Sequence, residues 1–215
     1  MKAALFDMDG TLLHTEHVAI PAFRLTFAEL KNRGLYSGDI PSEENFLHQL
    51  GNTLDMIWGA ILPGSDTKTR LLADKIMLEN EIRLIKSGSL FFYPGVKKTL
   101  FTLKERGYDI FVTSNGLEQY IDAIINHCDF GHLFTDLYSA GRFQTKSKVD
   151  LVAKLLKDYP ITKGYMIGDR KSDVKAGNLN KLPTIGCLFG YGGKTELEDA
   201  TYLVKNFSEI TEIIL

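Results

Sequence analysis

The chain has 215 residues, of which 44% are hydrophobic and 24% charged, a composition that is typical of globular proteins and unlike that of disordered chains. The net charge of -2, without a long run of Lys or Arg, disfavours a nucleic-acid polymer as a partner. The chain also shows no signal-peptide pattern and no apolar stretch approaching the roughly 20 residues that cross a bilayer, so we expect a cytoplasmic protein with no membrane contact.

Short apolar runs along the chain predict a series of strands. The first covers residues 2–6, and the second, YDIFVT, is rich in aromatic and β-branched residues. The predicted strands are 2–6, 108–113, 137–139, 164–167 and 183–189. Between them, apolar residues recur with helical spacing, as at Val96, Leu100 and Leu103. Alternating strands and amphipathic helices predict an α/β fold with a parallel sheet, whose functional site lies at the carboxyl ends of the strands.

Residues 16–90 have a different pattern, with helical spacing and little that is typical of strands. Turn signals at 41–42 and 63–66 divide this stretch into several helices, and the YPG turn at 93–95 marks the return to the sheet. We therefore expect a core domain of residues 1–15 and 91–215, with residues 16–90 inserted after the first strand as a small, all-helical cap.

The most informative segment is DMDGT, where the first strand ends in a glycine turn. Asp7 and Asp9 are two residues apart, so in an extended chain both side chains point the same way. Two carboxylates aimed at one place repel each other unless a cation or a proton lies between them. A hard divalent cation such as Mg²⁺ would stabilise the pair. The alternative is that both residues simply open a turn.

Two further polar segments follow predicted strands. Asp169 and Asp173 come directly after the apolar run at 164–167, although Asp173 is also a possible helix N-cap. Ser114 and Asn115 stand where another strand gives way to a helix, a position where hydroxyl and backbone N–H groups bind phosphate oxygens.

In this order and spacing, the segments resemble the haloacid dehalogenase-like hydrolases, and in particular the branch of phosphoglycolate phosphatase and β-phosphoglucomutase with a helical cap. The resemblance covers nearly the whole chain. It is most specific at residues 7–11 and at Gly168, Asp169 and Asp173. The fold it implies, a Rossmann-like parallel sheet flanked by helices with a cap inserted after the first motif, agrees with the architecture predicted above.

The resemblance also implies roles for the site residues. Asp7 is then the nucleophile that forms an aspartyl-phosphate, and Asp9 is the general acid and base. The implied Mg²⁺ ligands are Asp7, the backbone carbonyl of Asp9, Asp169 and Asp173, the last through a water or by orienting the loop. Ser114 is expected to donate to a phosphoryl oxygen. The implied catalytic residues are Asp7, Asp9, Ser114 and Lys148, and the implied substrate-binding residues are Thr11, Ser114, Asn115, Lys146 and Lys148.

The family's phosphate-binding lysine has two candidates, Lys146 and Lys148, at the start of a predicted helix. Relatives often carry Lys-x-Asp followed by two apolar residues, which here selects Lys148 with Asp150. Others carry Lys-Pro-x-Pro-Asp, which would select Lys146, but both prolines are absent. We therefore prefer Lys148.

Two departures from the pattern concern the surroundings of the site. His14 stands where relatives usually carry an aspartate, and we interpret it as a surface or hinge residue, with substrate contact as the alternative. The glycine-rich turn at 190–193 is expected to shape a loop beside the site.

We therefore predict a Mg²⁺-dependent phosphatase acting on a small phosphorylated metabolite. The carboxyl of Asp9 argues against a dehalogenase, because a departing alkoxide needs a proton. A phosphomutase of the β-phosphoglucomutase type and a non-catalytic binding protein on the same scaffold are the alternatives. The sequence indicates neither the particular ester nor the oligomeric state.

Overall fold

The computed structural model of the protein describes residues 1–52 and 54–215. Within them, one sheet of six parallel strands runs in the order β3-β2-β1-β4-β5-β6. The strands are β1 (Lys2–Phe6), β2 (Tyr108–Ser114), β3 (Phe134–Ser139), β4 (Lys163–Gly168), β5 (Thr184–Cys187) and β6 (Tyr202–Val204). The predicted α/β fold with a parallel sheet is confirmed.

The sixth strand was missed by the sequence analysis. It is a three-residue edge strand in which Tyr202 and Leu203 are exposed and only Val204 is buried. So short and exposed a segment lacks the apolar run that identifies a buried strand. The predicted fifth strand, 183–189, is also shorter in the structure, because the chain leaves the sheet after Cys187.

The central strand β1 determines where the site forms. Its residues alternate between two apolar clusters, with Ala4 and Phe6 on one face of the sheet and Ala3 and Leu5 on the other. Phe6 pairs with Val112 of β2 and with Ile167 of β4. These three strands therefore end at the same level, and the residues that follow them meet at one edge of the sheet.

Helices cover both faces. Apolar residues of α5 (Val96–Glu105) and α6 (Glu118–His127) pack on the face of Ala4 and Phe6, and those of α8 (Lys148–Asp158) and α9 (Lys171–Leu179) on the opposite face. A short helix, α7 (Ala140–Phe143), precedes α8, and α10 (Ile210–Ile213) ends the fold. Helices on both faces of a parallel sheet in this order are typical of doubly wound folds.

The described residues between β1 and α5 form four helices, α1 (Glu16–Asn32), α2 (Glu43–Gln49), α3 (Leu54–Ile61) and α4 (Thr67–Lys86). They enclose an apolar cluster of their own, which includes Phe23, Phe27, Phe46, Trp58 and Met77. The chain enters and leaves this segment side by side, since His14 N donates to Phe91 O at 2.8 Å and Tyr93 N donates to Leu12 O at 3.0 Å. No helix in the described part of the chain has the length and apolar character needed to span a bilayer.

The contribution of the apolar cluster enclosed by α1–α4 to stability can be tested with Phe27→Ala. Phe27 is fully buried in that cluster, so its truncation leaves a cavity and is expected to lower the free energy of unfolding by about 3–5 kcal/mol. Trp58, the single tryptophan, is buried in the same cluster, so its fluorescence during urea unfolding reports on it directly. Leu71→Ala on α4, where the side chain is 66% exposed, is the control and should change stability by no more than about 0.5 kcal/mol. Equal effects of the two substitutions would contradict this packing.

Candidate active site

Three carboxylates from distant parts of the sequence meet at the carboxyl edge of the sheet. Asp7 follows β1, Asp169 follows β4, and Asp173 lies in the first turn of α9. One oxygen of each lies within 4.8 Å of the others, and all three residues are at most 2% exposed. Because β1 and β4 end at the same level, the three carboxylates meet at the carboxyl edge of the sheet, where the sequence predicted a functional site.

A buried lysine lies among these carboxylates. Lys148 is the first residue of α8, and its Nζ is 2.8 Å from Asp7 Oδ1 and 2.6 Å from Asp173 Oδ1. Ser147 caps the helix by accepting a hydrogen bond from Asp150 N, which fixes the start of α8 at Lys148. Burial by itself lowers the pKa of Lys148, but the carboxylates of Asp173 and Asp7 outweigh burial and keep the pKa above its ordinary value. Lys148 is therefore a permanent cation in the cluster.

One ammonium does not balance three buried carboxylates. Burial, together with the neighbouring charge of Asp173, raises the pKa of Asp7 well above its ordinary value. The same two causes raise the pKa of Asp169 to about 7. The cluster thus has a deficit of positive charge that either protons or a second cation must supply.

The donor set fits a hard divalent cation. Asp7 Oδ2 is buried and has no hydrogen-bond partner among the described residues. Buried polar atoms are nearly always hydrogen-bonded, so this orphaned carboxylate oxygen beside two further carboxylates indicates that a cation or a reacting group binds there. Oxygen donors of this kind suit Mg²⁺. Asp7, Asp169 and Asp173 could hold such an ion.

The side chain of Asp9 turns away from this cluster. Its Oδ1 accepts hydrogen bonds from Thr15 Oγ1 at 2.7 Å and from the Tyr120 hydroxyl at 2.8 Å. Burial raises the pKa of Asp9, and the hydrogen bonds from Thr15 and Tyr120 only partly oppose that effect. The carboxyl group of Asp9 is thus held in a fixed orientation and retains its proton to a higher pH than an exposed aspartate.

Tyr120 was not predicted as a site residue. It lies among the buried residues of α6, where it is 6% exposed. Its hydroxyl, however, reaches Asp9. Helical periodicity identifies a buried face but not the polar group at the end of a buried ring, so the sequence held no signal for this contact.

Ser114 and Asn115 line the same cavity as Asp7 and Asp9. Ser114 Oγ accepts a hydrogen bond from Gly116 N at 3.0 Å, so its hydroxyl proton can be donated to a ligand. Asn115 Nδ2 donates to Gly51 O at 2.9 Å, which ties this strand end to the helical segment, and Asn115 Oδ1 is buried without a partner among the described residues.

Thr11 was predicted to contact substrate, but the structure does not bring it to the cavity. It is fully buried, and its Oγ1 donates to Asp169 Oδ1 at 3.3 Å. Asp169 Oδ2 accepts from Tyr191 N at 2.7 Å. Thr11 and Tyr191 thus orient Asp169 from two sides, because each of its oxygens has a donor.

Close backbone approach around Asp169 requires glycine at several positions, of which Gly10 and Gly190 are two. Gly10 has φ +75°, and a Cβ there would lie 2.4 Å from Asp169 Oδ2. A Cβ at Gly190 would lie 2.3 Å from Asp169 Cβ. The glycine-rich turn at 190–193 therefore packs directly on Asp169, which agrees with its expected position beside the site.

Two other predicted candidates lie outside the cluster. Lys146 is exposed, whereas Lys148, two residues further on, is buried in the site. His14 Nδ1 is 3.0 Å from Glu16 Oε1, and its ring lies 3.7 Å from that of Tyr93, where the chain enters the helical segment. His14 does not line the cavity, in agreement with its interpretation as a hinge residue.

The cavity, of about 80 Å³, lies between this edge of the sheet and the helical segment. Its sheet side is formed by Asp7, Asp9, Ser114 and Asn115, and its other side by residues of α2, α3 and α4. Described residues on the helical side include Phe46, Leu50, Ile57, Trp58, Asp74, Met77, Leu78 and Glu81. No motif marks any of these eight, so they were not predicted from the sequence.

The fold and the site define a doubly wound α/β protein with a buried carboxylate cluster at the carboxyl edge of its sheet. The model of the haloacid dehalogenase-like hydrolase family matches residues 4–187, so the chain belongs to that family. The resemblance drawn from residues 7–11 and 168–173 is thus confirmed, and the protein is an enzyme of the hydrolase class.

Relatives of known name match almost the whole chain. A phosphoglycolate phosphatase of Haemophilus influenzae is 22% identical, over 97% of this chain and 96% of its own. Among solved structures, a predicted phosphoglycolate phosphatase from Haemophilus somnus has a TM-score of 0.83 at 19% identity and covers 100% of this chain and 98% of its own. CbbY from Rhodobacter sphaeroides, solved with xylulose-(1,5)bisphosphate, has a TM-score of 0.81 at 20% identity, over 96% and 95% of the two chains. At 19% and 20% identity, the likeness to these two structures establishes the fold of the chain.

The role of the buried lysine can be tested by comparing two neighbouring substitutions. Lys148→Met leaves Asp7 and Asp173 without their cation, and we expect the free energy of unfolding at about pH 7 to fall by about 3–5 kcal/mol. Lys146→Met removes an exposed charge two residues away and should leave stability unchanged. Urea unfolding monitored by Trp58 fluorescence measures both. A Lys148→Met protein as stable as the wild type would show that the cluster does not depend on this charge.

The carboxylate cluster also predicts a pH-dependent response to Mg²⁺. The folded-state pKa of Asp169 is raised to about 7, above its unfolded value of about 4, so without metal its contribution to stability falls as the pH rises through that window. Because Mg²⁺ needs ionised carboxylates, its addition should raise the Tm more at about pH 8 than at about pH 5.5. Thermal unfolding with Mg²⁺ or EDTA measures this. Asp169→Asn should lose most of the response and Asp122→Asn, at an exposed position, none of it; an equal response at both pH values would contradict the site.

Proposed function

We propose that the protein is a Mg²⁺-dependent phosphatase that hydrolyses a small phosphate monoester through an aspartyl-phosphate on Asp7. The observation that carries the proposal is the orphaned Oδ2 of Asp7, a buried carboxylate oxygen on the wall of a cavity. The other oxygen of Asp7 is held by Lys148 Nζ and Met8 N, both at 2.8 Å, so Oδ2 is the one available to a reacting atom.

In the first step, Asp7 Oδ2 attacks the phosphorus atom of the ester. A P–O bond forms to Asp7 as the P–O bond to the leaving alcohol breaks, and the alkoxide takes a proton from Asp9. The raised pKa of Asp9 and its fixed hydrogen bonds to Thr15 and Tyr120 support this role, because a general acid must hold its proton and aim it.

In the second step, a water molecule attacks the same phosphorus atom. Asp9, now ionised, accepts the proton of that water, and the P–O bond to Asp7 breaks, which releases inorganic phosphate and restores both carboxyl groups. Phosphoryl transfer needs mainly positioning and charge stabilisation, and Lys148, the hydroxyl of Ser114 and the amide of Asn115 provide donors for the phosphoryl oxygens. Lys146 and Thr11 have no part in this arrangement.

The same proposal includes the metal and the domain division. Asp7, Asp169, Asp173 and the backbone carbonyl of Asp9 would hold Mg²⁺, which when bound neutralises phosphate charge next to the nucleophile. Residues 1–15 and 91–215 form the core that carries these groups, and residues 16–90 form a cap that covers the cavity and excludes bulk water. Support for this division is that α1–α4 have an apolar cluster of their own and provide one side of the cavity.

The relatives support phosphate as the target. The curated relative from Haemophilus influenzae is named as a phosphoglycolate phosphatase, and the neighbour from Rhodobacter sphaeroides was solved with a sugar bisphosphate. Both names refer to small phosphorylated metabolites, which agrees with the size of the cavity.

The experiment is phosphate release and burst kinetics with p-nitrophenyl phosphate in the presence of Mg²⁺. Asp7→Asn should release neither p-nitrophenolate nor phosphate. In Asp9→Asn the nitrophenolate leaves without a proton, but the water in the second step lacks its base. We therefore expect a burst of one p-nitrophenolate per protein, followed by turnover about 10²–10⁴ times slower than that of the wild type.

Asp122→Asn, at an exposed position of α6, is the control and should match the wild type in both phases. Wild-type rates in the folded Asp7→Asn variant would refute the covalent mechanism. Absence of Asp7-dependent phosphate release from every ester would refute the phosphatase.

A further inference from the structure

The cavity beyond the reacting carboxylates combines apolar and acidic side chains. On the helical side, Phe46, Trp58 and Leu78 form an apolar wall, and Asp74 and Glu81 of α4 add two carboxyl groups. No Lys, Arg or His is present among the described residues that line the cavity. A ligand that extends from Asp7 into this space therefore meets the carboxyl groups of Asp74 and Glu81, and no basic side chain among the described lining residues.

Glu81 is one of the two acidic residues described on the helical side of the cavity. It is half-buried on α4, and its charge interacts with that of Asp9 across the cavity. Burial, with added repulsion from Asp9 and Asp74, raises the pKa of Glu81 well above its ordinary value. Among the described residues, Glu81 has no ion-pair partner, although exposed Glu79, two residues earlier, lies 3.9 Å from Lys75. An uncompensated carboxylate in such a place is costly unless a ligand neutralises it.

Asp74 lies two turns earlier on the same helix. Its Oδ1 accepts a hydrogen bond from Trp58 Nε1 at 3.0 Å, so the carboxylate and the indole ring are held together at the cavity wall. An aromatic face beside carboxylates is an arrangement that binds organic cations.

The ends of the cavity define how a ligand lies in it. The orphaned Oδ2 of Asp7, on a residue that is 2% exposed, marks the position of the reacting phosphate. Glu81 lines the helical side of the same cavity, where its carboxyl group is available to the far end of a leaving alcohol. A leaving group with a carboxylate, such as glycolate, or with a second phosphate would place its negative charge beside the carboxyl groups of Glu81 and Asp74. An ammonium group would instead complement these two carboxyl groups.

We propose that this enzyme selects phosphate monoesters of short amino alcohols, whose ammonium group binds Glu81, and that Glu81 and Asp74 exclude anionic esters. The inference rests on the phosphatase activity proposed above and names its substrate class. It also separates this chain from the phosphoglycolate phosphatases that it resembles, because the leaving group of phosphoglycolate is an anion.

Three esters of equal length test the proposal. They are 2-aminoethyl phosphate, 2-hydroxyethyl phosphate and phosphoglycolate, which differ at the terminal group in being cationic, neutral and anionic. With Mg²⁺ and the wild-type protein, we expect kcat/KM to fall by about tenfold or more from the cationic to the neutral ester, and again from the neutral to the anionic ester. A tenfold change corresponds to the gain or loss of about one hydrogen bond to a charged group.

Glu81→Gln removes the charge and keeps the shape of the side chain. The ratio of kcat/KM for the amino ester to that for the hydroxy ester should fall by about tenfold, mainly through KM, since the ammonium group lies away from the reacting bond. Glu79→Gln, at an exposed position on the same helix, is the matched control and should keep the wild-type ratio. Asp74→Asn should lower the same ratio in the same direction.

Each outcome is decisive. Wild-type preference for phosphoglycolate or for the neutral ester, with Asp7-dependent turnover of p-nitrophenyl phosphate intact, overturns this inference and leaves the phosphatase standing. A ratio that Glu81→Gln leaves unchanged overturns the role of Glu81. No Asp7-dependent turnover of any ester overturns the phosphatase and this inference with it. Thermal unfolding of each variant ensures that only folded proteins are compared.

Discussion

The contact of Lys148 with Asp7 and Asp173 is the interaction on which the rest of the site depends. Three carboxylates buried together would repel one another and could not all remain charged. The ammonium group, at 2.8 Å and 2.6 Å from two of them, makes that concentration of charge possible and holds one oxygen of Asp7. It also leaves the other oxygen of Asp7 without a partner among the described residues. The same group that stabilises the cluster thereby leaves one carboxylate oxygen available for a ligand.

The backbone makes the close approach of these groups possible. Parallel pairing ends β1 and β4 at one level, so Asp7 and Asp169 start the two loops at the same edge. Gly10, in the loop after β1, and Gly190, in the loop after β5, then allow these two loops to pack against Asp169, where any side chain would collide with it. The helical segment supplies the other half of the cavity, with Asn115 joined to it through Gly51 O. In the proposed reaction, the sheet thus provides the reacting groups, and the helices provide the surroundings of the leaving group.

The order of strands and helices was predictable because apolar runs and helical spacing report burial directly. Asp7, Asp9, Ser114, Asn115, Asp169 and Asp173 were also predicted as site residues, since they follow predicted strands and match a family motif. Tyr120, Asp74 and Glu81 were not. Tyr120 has the pattern of an ordinary core residue, and the two acids have that of an ordinary helix surface. Their polar groups line the cavity only because α4 and α6 pack against the edge of the sheet, and this packing cannot be read from local sequence.

The family, the parallel sheet and the residues at the strand ends were predictable from the sequence, because they depend on local pattern and on a motif of short range. Which polar group faces which depends instead on how the helices and strands pack. Lys148 enters the cluster as the first residue of α8, whereas Lys146 lies before the helix and is exposed. Thr11 donates to Asp169 and not into the cavity. Asp74 and Glu81 line the cavity only because α4 packs over the edge of the sheet. Side-chain direction changes by about 100° with each helical residue, so a contact between distant segments depends on the packing of whole elements.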